Sequence, residues 1–279
     1  ILAQAQAAAR AGLRSLASFL AAREYIPYIS QMGDSQSTEI TEPVIDYDVK
    51  TEGYRLWLFG DSILDNSYWN GVERNTTGEW LKRLLPKVEI RDRSTEELDA
   101  KTLLGCLQRQ RKIQVAGQYV AHRRAIGIPY DPPSGQIDPN PSDIGPKDFL
   151  VLCVSGNDFA LRGEMNPTVI LGFVRKAIQF YKQRGIRPER LIYMGTYGPN
   201  ARMKLFVGLA YCTSLMALYE RLVEEARDMC AEEGVMFMPL GDFDHIAGVG
   251  IPEPTPAGAK ELAYRIQRAV LDQIKREES

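Results

Sequence analysis

A serine stands at a position where a nucleophile could act. Ser62 follows an apolar stretch, residues 56–59, and Gly60, in the sequence LWLFGDSI. The stretch has the length and composition of a buried strand, and a glycine at its end lets the backbone turn sharply. The hydroxyl of Ser62 is therefore expected at the carboxyl end of a strand, which is where α/β hydrolytic folds hold their nucleophile. Gly-Asp-Ser is also common in simple turns, so the tripeptide alone decides little.

A second polar block follows another apolar stretch, residues 149–154. It reads SGND and comprises Ser155, Gly156, Asn157 and Asp158. An asparagine amide at a neighbouring strand end could donate to an oxyanion that forms over Ser62. We predict that Ser62 and Asn157 share one site, and that the backbone N–H of Ser62 is a further oxyanion donor.

The two blocks together resemble those of the SGNH, or GDSL-like, hydrolase family, over roughly residue 54 to the C-terminus. The resemblance implies a serine hydrolase with Ser62 as nucleophile and Asn157 as oxyanion donor. Two departures accompany it. Ser155 stands where the family has a leading glycine. The family also usually has a glycine in the turn after the second strand, but residues 91–105, RDRSTEELDAKTLLG, have no glycine at the expected turn. The family therefore also admits a second reading, in which this chain is a degenerate member.

A base for Ser62 must be a histidine or a substitute for one. Asp242 and His245 have the D-x-x-H spacing of the family, in which the carboxylate orients the imidazole and the histidine takes the serine proton. An alternative alignment to the last helix places Glu253 in the histidine position, which would break the triad. His122 lies between the second and third predicted strands and is expected to be a surface residue.

The elements that must position these residues alternate along the chain. Apolar stretches of strand length are separated by helical patterns, which predicts a parallel sheet with helices on both faces. With the resemblance, the predicted fold is a three-layer α/β/α sandwich of flavodoxin-like type, with a five-stranded, mainly parallel sheet and an N-terminal helical extension. Asn166 and Thr255 each precede a proline and are predicted helix N-caps. The strands are predicted at residues 54–59, 88–91, 149–154, 191–196 and 235–240.

Two segments extend beyond this core. Residues 1–53 are predicted to form a helix and an extended arm, ahead of a hydrolase-like domain at 54–279. The helix carries three arginines and no acidic residue, and resembles the tail of an organelle-targeting segment. A long insert, residues 92–148, separates the second and third strands. We interpret it as a functional lid or docking element, or else as a tolerated insertion, with a basic face that is solvated or contacts an acidic partner.

Composition limits the remaining classes of function. Apolar residues make up 44% and charged residues 25% of the chain, and the net charge is −2, as in ordinary soluble proteins. We expect no nucleic-acid partner, no membrane span, no metal and no cofactor. The four cysteines form no C-x-x-C pair and are expected to be reduced thiols, which favours an intracellular compartment.

Two functions stay open. One is hydrolysis of a small acyl ester or thioester. The other is a catalytically degenerate subunit of a larger complex, with protein partners bound through residues 1–53 and the insert. The compartment is an organelle such as the mitochondrion, or else the cytoplasm.

Overall fold

The computed structural model describes residues 49–67, 76–198, 209–241 and 254–279. Its main sheet has five strands, all parallel, in the order β2-β1-β5-β6-β7. The strands are β1 (Arg55–Gly60), β2 (Glu89–Asp92), β5 (Asp148–Cys153), β6 (Leu191–Met194) and β7 (Met236–Met238). Each falls on a stretch predicted from the sequence, so the predicted strands are confirmed.

Seven α-helices lie in the described segments. The predicted caps are confirmed, because the side chain of Asn166 accepts from Thr168 N and that of Thr255 accepts from Gly258 N. A 3₁₀ turn, Pro188–Arg190, precedes β6. None of these helices is long and apolar enough to cross a membrane. They are α1 (Thr77–Leu84), α2 (Ala100–Gln108), α3 (Gly117–Ala125), α4 (Gly156–Ala160), α5 (Pro167–Gln183), α6 (Leu209–Glu233) and α7 (Pro256–Glu278).

Alternation along β1 divides the core between the two faces of the sheet. Trp57 and Phe59 point to one face, in a cluster with apolar side chains of α2, α5 and α6. Leu56 and Leu58 point to the other, in a cluster with side chains of α1 and α7. All four are at most 1% exposed. The predicted α/β/α sandwich is therefore confirmed, while the N-terminal extension lies outside the described residues.

The insert is more structured than its sequence indicated. Between β2 and β5 it contains α2 and α3 and a two-stranded antiparallel sheet, formed by β3 (Ile113–Gln114) and β4 (Gln136–Ile137). Ile113, Tyr119, Tyr130 and Ile137 are buried in the same cluster as Trp57. The insert is thus part of the folded body, and its two-residue strands are too short for any periodicity to predict.

Gly60 ends β1 at a point where the two central strands come very close. A Cβ atom at this position would lie 2.6 Å from Leu64 Cδ1 and 2.8 Å from the carbonyl oxygen of Cys153 on β5. The Leu64 side chain can rotate away, but the contact with Cys153 O cannot be relieved without moving the backbone. Packing therefore requires a glycine at position 60. This close contact lies at the end of β1 that leads to Ser62.

We expect Gly60→Ala to lower the free energy of unfolding by about 1–3 kcal/mol, because it overpacks the contact between β1 and β5. Gly172→Ala is the matched control. A Cβ at Gly172, inside α5, meets no atom within 4 Å, so this change should stabilise the protein by about 0.5–1 kcal/mol. Urea denaturation of both variants measures the difference. Equal effects of the two changes would contradict the packing argument.

Candidate active site

Ser62 lies in a tight turn at the carboxyl edge of the sheet. The backbone N–H of Asp61 donates to Cys153 O (2.9 Å) and so continues the ladder between β1 and β5 past the end of β1. The carbonyl of Asp61 then accepts from Leu64 N and Asp65 N, both at 3.0 Å. The carboxylate of Asp61 accepts from Ile63 N (3.0 Å). Hydrogen bonds therefore fix the backbone on both sides of Ser62. Ser62 itself is 7% exposed.

Asn157 lies in α4, directly after β5. Its Nδ2 donates to the carbonyl oxygen of Leu98 at 3.2 Å. The amide nitrogen carries two N–H bonds, so this contact orients the side chain and uses one of them. The role of the second N–H as an oxyanion donor stays a prediction.

Asp158 joins the SGND block to the loop that follows β2. Its carboxylate accepts from Ala100 N (2.8 Å) and Lys101 N (3.3 Å), the first two residues of α2. The residue is 1% exposed, and burial raises the pKa of its carboxyl to about 6 against the opposing effect of these hydrogen bonds. Because Leu98 holds Asn157 and Asp158 holds α2, the two strand-end loops form one unit.

Ser155, which stands where the resemblance implies a glycine, has a backbone conformation that favours glycine. Its φ is 145°, in the region that favours glycine over residues with a Cβ atom. The hydroxyl of Tyr193 lies within hydrogen-bond distance of both Ser155 Oγ (3.1 Å) and Val154 O (3.3 Å). The backbone at this position therefore makes a turn that suits glycine, although the residue is a serine.

We predict that Ser155→Gly is more stable than Ser155→Ala by about 1–2 kcal/mol, since only glycine removes the strain at positive φ. Both variants lose the same hydroxyl, and both leave Val154 O for Tyr193. In unstrained sites the order is the reverse, because alanine reduces the entropy of the unfolded chain. Thermal unfolding of the pair decides the matter, and a more stable alanine variant would refute the strain.

The turn after β2 also has a residue in a conformation typical of glycine. Glu97 has a φ of 62°, in the left-handed region. Its carboxylate accepts from the hydroxyl of Tyr119 in α3 (2.6 Å), which holds the side chain toward the insert. The segment that lacks the expected glycine thus still makes a left-handed turn.

The structure brings Ser62 and Asn157 to the same edge of the sheet. They follow adjacent parallel strands, whose last residues, Gly60 and Cys153, are paired in register. Gly156 packs against the turn of Ser62, since a Cβ there would lie 3.4 Å from Asp61 Oδ2. The structure therefore has a parallel sheet in this order, with a GDS turn after β1 and a GND turn after β5. This is the arrangement that the resemblance to the SGNH hydrolases predicts for the fold.

Comparison with known proteins finds structural similarity at low sequence identity. No family model matches this chain, and no curated protein matches its sequence. TesA covers 80% of this chain and 98% of its own at 18% identity and a TM-score of 0.44. The esterase EstA from Pseudoalteromonas sp. covers 80% and 97% at 16% identity and 0.42. A carbohydrate acetylesterase family member from Sinorhizobium meliloti covers 80% and 99% at 10% identity and 0.49.

The remaining predicted site residues lie outside the described part of the chain. Asp242, His245 and Glu253 all fall between residues 242 and 253, so the choice of base stays a prediction. Within the described segments, no group of three or more His, Cys, Asp or Glu side chains could hold a metal ion.

Sequence reasoning missed the residues that support the turn of Ser62. His122, predicted as a surface residue, is half-buried, and its Nε2 lies 2.9 Å from the carbonyl oxygen of Ser67. Arg123, counted in the basic face of the insert, is 4% exposed. Asp65 is fully buried. The one signal for this support in the sequence was Asp65, an acidic residue three positions after Ser62. It lies in a stretch whose pattern of polar and apolar residues does not indicate a solvent-exposed face.

Proposed function

We propose that this protein is a serine hydrolase that cleaves small acyl esters or thioesters. The observation that carries the proposal is the placement of Ser62 and Asn157 on adjacent strand ends, with the asparagine amide oriented by Leu98 O. A nucleophile and an oxyanion donor on one rigid edge are the two parts that acyl transfer needs first.

The reaction follows from these roles. Ser62 Oγ attacks the acyl carbonyl carbon while its proton passes to the base. The carbonyl oxygen becomes an oxyanion, which accepts from Asn157 Nδ2 and from the backbone N–H of Ser62. The C–O or C–S bond to the leaving group breaks as the base returns the proton, and water then hydrolyses the acyl-enzyme by the same steps.

The base in this scheme is His245, oriented by Asp242. A histidine titrates near pH 6.5 and suits proton transfer at neutral pH, whereas an unperturbed glutamate titrates near 4.3. Glu253 is the alternative at this position. If the rate of hydrolysis rises with pH according to a pKa near 6.5, His245 is supported as the base. If His245→Ala leaves the dependence of the rate on pH unchanged, Glu253 is supported instead.

The degenerate-subunit alternative draws on the glycine missing after the second strand, on the displaced histidine, and on the N-terminal helix, the arm and the insert. Ser155 and Glu97 nevertheless adopt positive φ, so the backbone turns remain in place. Partners of residues 1–53 and an organelle location belong to that alternative and stay proposals. Covalent labelling of Ser62 by a fluorophosphonate probe separates the hydrolase from the degenerate subunit.

We expect a fluorophosphonate probe to label the wild-type protein and to leave Ser62→Ala unlabelled, as followed by intact-protein mass spectrometry. Asn157→Ala should slow labelling by about 10²–10³-fold, because one oxyanion donor is lost. Ser142→Ala, which changes an exposed serine of the insert, is the control and should label like the wild type.

Labelling that persists in Ser62→Ala would contradict the assignment of the nucleophile. A wild-type protein that never forms an adduct would contradict the hydrolase proposal as a whole and favour the degenerate subunit.

A further inference from the structure

The turn that carries Ser62 continues into a short buried segment, residues 61–67, which we call the nucleophile loop. Every residue in it is buried. Asp65 is the charged group at its centre, and its Oδ1 accepts from Ser67 Oγ at 2.8 Å. A fully buried carboxylate needs a cation and further donors to remain ionised. Among the described residues, the cation and the hydrogen-bond donor that reach Asp65 from outside the loop both belong to the insert.

Arg123 of α3 supplies the cation. Its NH1 lies 3.2 Å from Asp65 Oδ1, and its NH2 donates to Asp92 Oδ2, also at 3.2 Å. Its Nε donates to Ile128 O (3.0 Å), and its guanidinium lies 4.4 Å from the centre of the Tyr130 ring. One arginine thus joins the nucleophile loop to the end of β2. Burial alone would lower the pKa of Arg123, but Asp65 and Asp92 raise it above its ordinary value.

Two more contacts come from the same region of the insert. Tyr130 donates its hydroxyl to Asp65 Oδ2. His122 Nε2 donates to Ser67 O at 2.9 Å, since a carbonyl oxygen can only accept. With Tyr119 on Glu97, α3 contacts both loops beside the proposed oxyanion site through residues on one helical face.

We propose that the insert is a brace for the nucleophile loop, and that Arg123 is a positioning residue for Ser62. Its effect on catalysis rests on the proposed function, whereas its effect on the loop does not. The planar guanidinium reaches two carboxylates, a carbonyl and an aromatic face at once, which a lysine ammonium cannot do. The insert therefore contributes to the active site without contacting the substrate.

The experiment compares Arg123→Met with a matched control, Arg190→Met. Arg190 is also 4% exposed, pairs with Glu277 and lies 5.1 Å from the ring centre of Tyr54. It precedes β6 and so lies at the opposite edge of the sheet from Ser62. Both changes should destabilise the protein. Only Arg123→Met should also slow fluorophosphonate labelling of the folded protein, by at least about tenfold, with partial recovery in Arg123→Lys.

Tyr130→Phe serves if Arg123→Met does not fold, because it removes one hydrogen bond and leaves every charge in place. Its control is Tyr181→Phe, since the buried hydroxyl of Tyr181 donates to Pro139 O (2.8 Å) in the same manner, away from the loop. Tyr130→Phe should slow labelling more than Tyr181→Phe does at equal stability. A lower rate constant at saturating probe, with unchanged half-saturation, is expected of a misplaced serine.

Amide hydrogen exchange within residues 61–67 tests the brace independently of any activity. Exchange there should accelerate in Arg123→Met and Tyr130→Phe beyond the change that the two controls show. If loop exchange matches that of the controls, the brace is refuted even in an active enzyme. If exchange accelerates but the wild type never labels at Ser62, the brace stands and the proposed hydrolase function fails.

Discussion

The parallel pairing of β1 with β5 is the interaction on which the rest of the site depends. It runs through the two buried strands at the centre of the sheet and ends with Gly60 opposite Cys153. The hydrogen bond from Asp61 N to Cys153 O extends it by one residue. Because both strands end in register, the turns that follow them start side by side. Ser62 and Asn157 share an edge as a direct result of this register, and a slip of one residue would separate them.

The surrounding contacts limit how these two turns can move. Asn157 is held by Leu98 O, and the carboxylate of Asp158 accepts from the first residue of α2. The turn after β5 therefore fixes the loop after β2. On the other side, Arg123 ties the nucleophile loop to Asp92. The chain thus encloses Ser62 between two polar connections, one from its neighbouring strand and one from the insert. Such buried connections cost desolvation energy, and they are retained where they specify geometry.

Much of this arrangement follows from the sequence, because apolar stretches of strand length and proline-marked helix starts are local signals. They gave all five main strands and the caps at Asn166 and Thr255. Arg123 illustrates what local signals miss. Its neighbours in sequence, His122 and Arg124, are not buried, while its burial depends on Asp65 and Asp92, which lie 58 and 31 positions earlier. Ser155 and Glu97 show a second limit, since residue type alone does not predict a positive φ at a serine or a glutamate.

The most direct test of the account is a crystal structure of the protein after reaction with a fluorophosphonate. We predict a phosphorus atom bonded to Ser62 Oγ, with its phosphonyl oxygen about 3 Å from Asn157 Nδ2 and within reach of the Ser62 backbone N–H. Such an adduct would show nucleophile and oxyanion donor acting on one centre. A Ser62 adduct whose oxygen points away from Asn157, or an adduct on another residue, would contradict it.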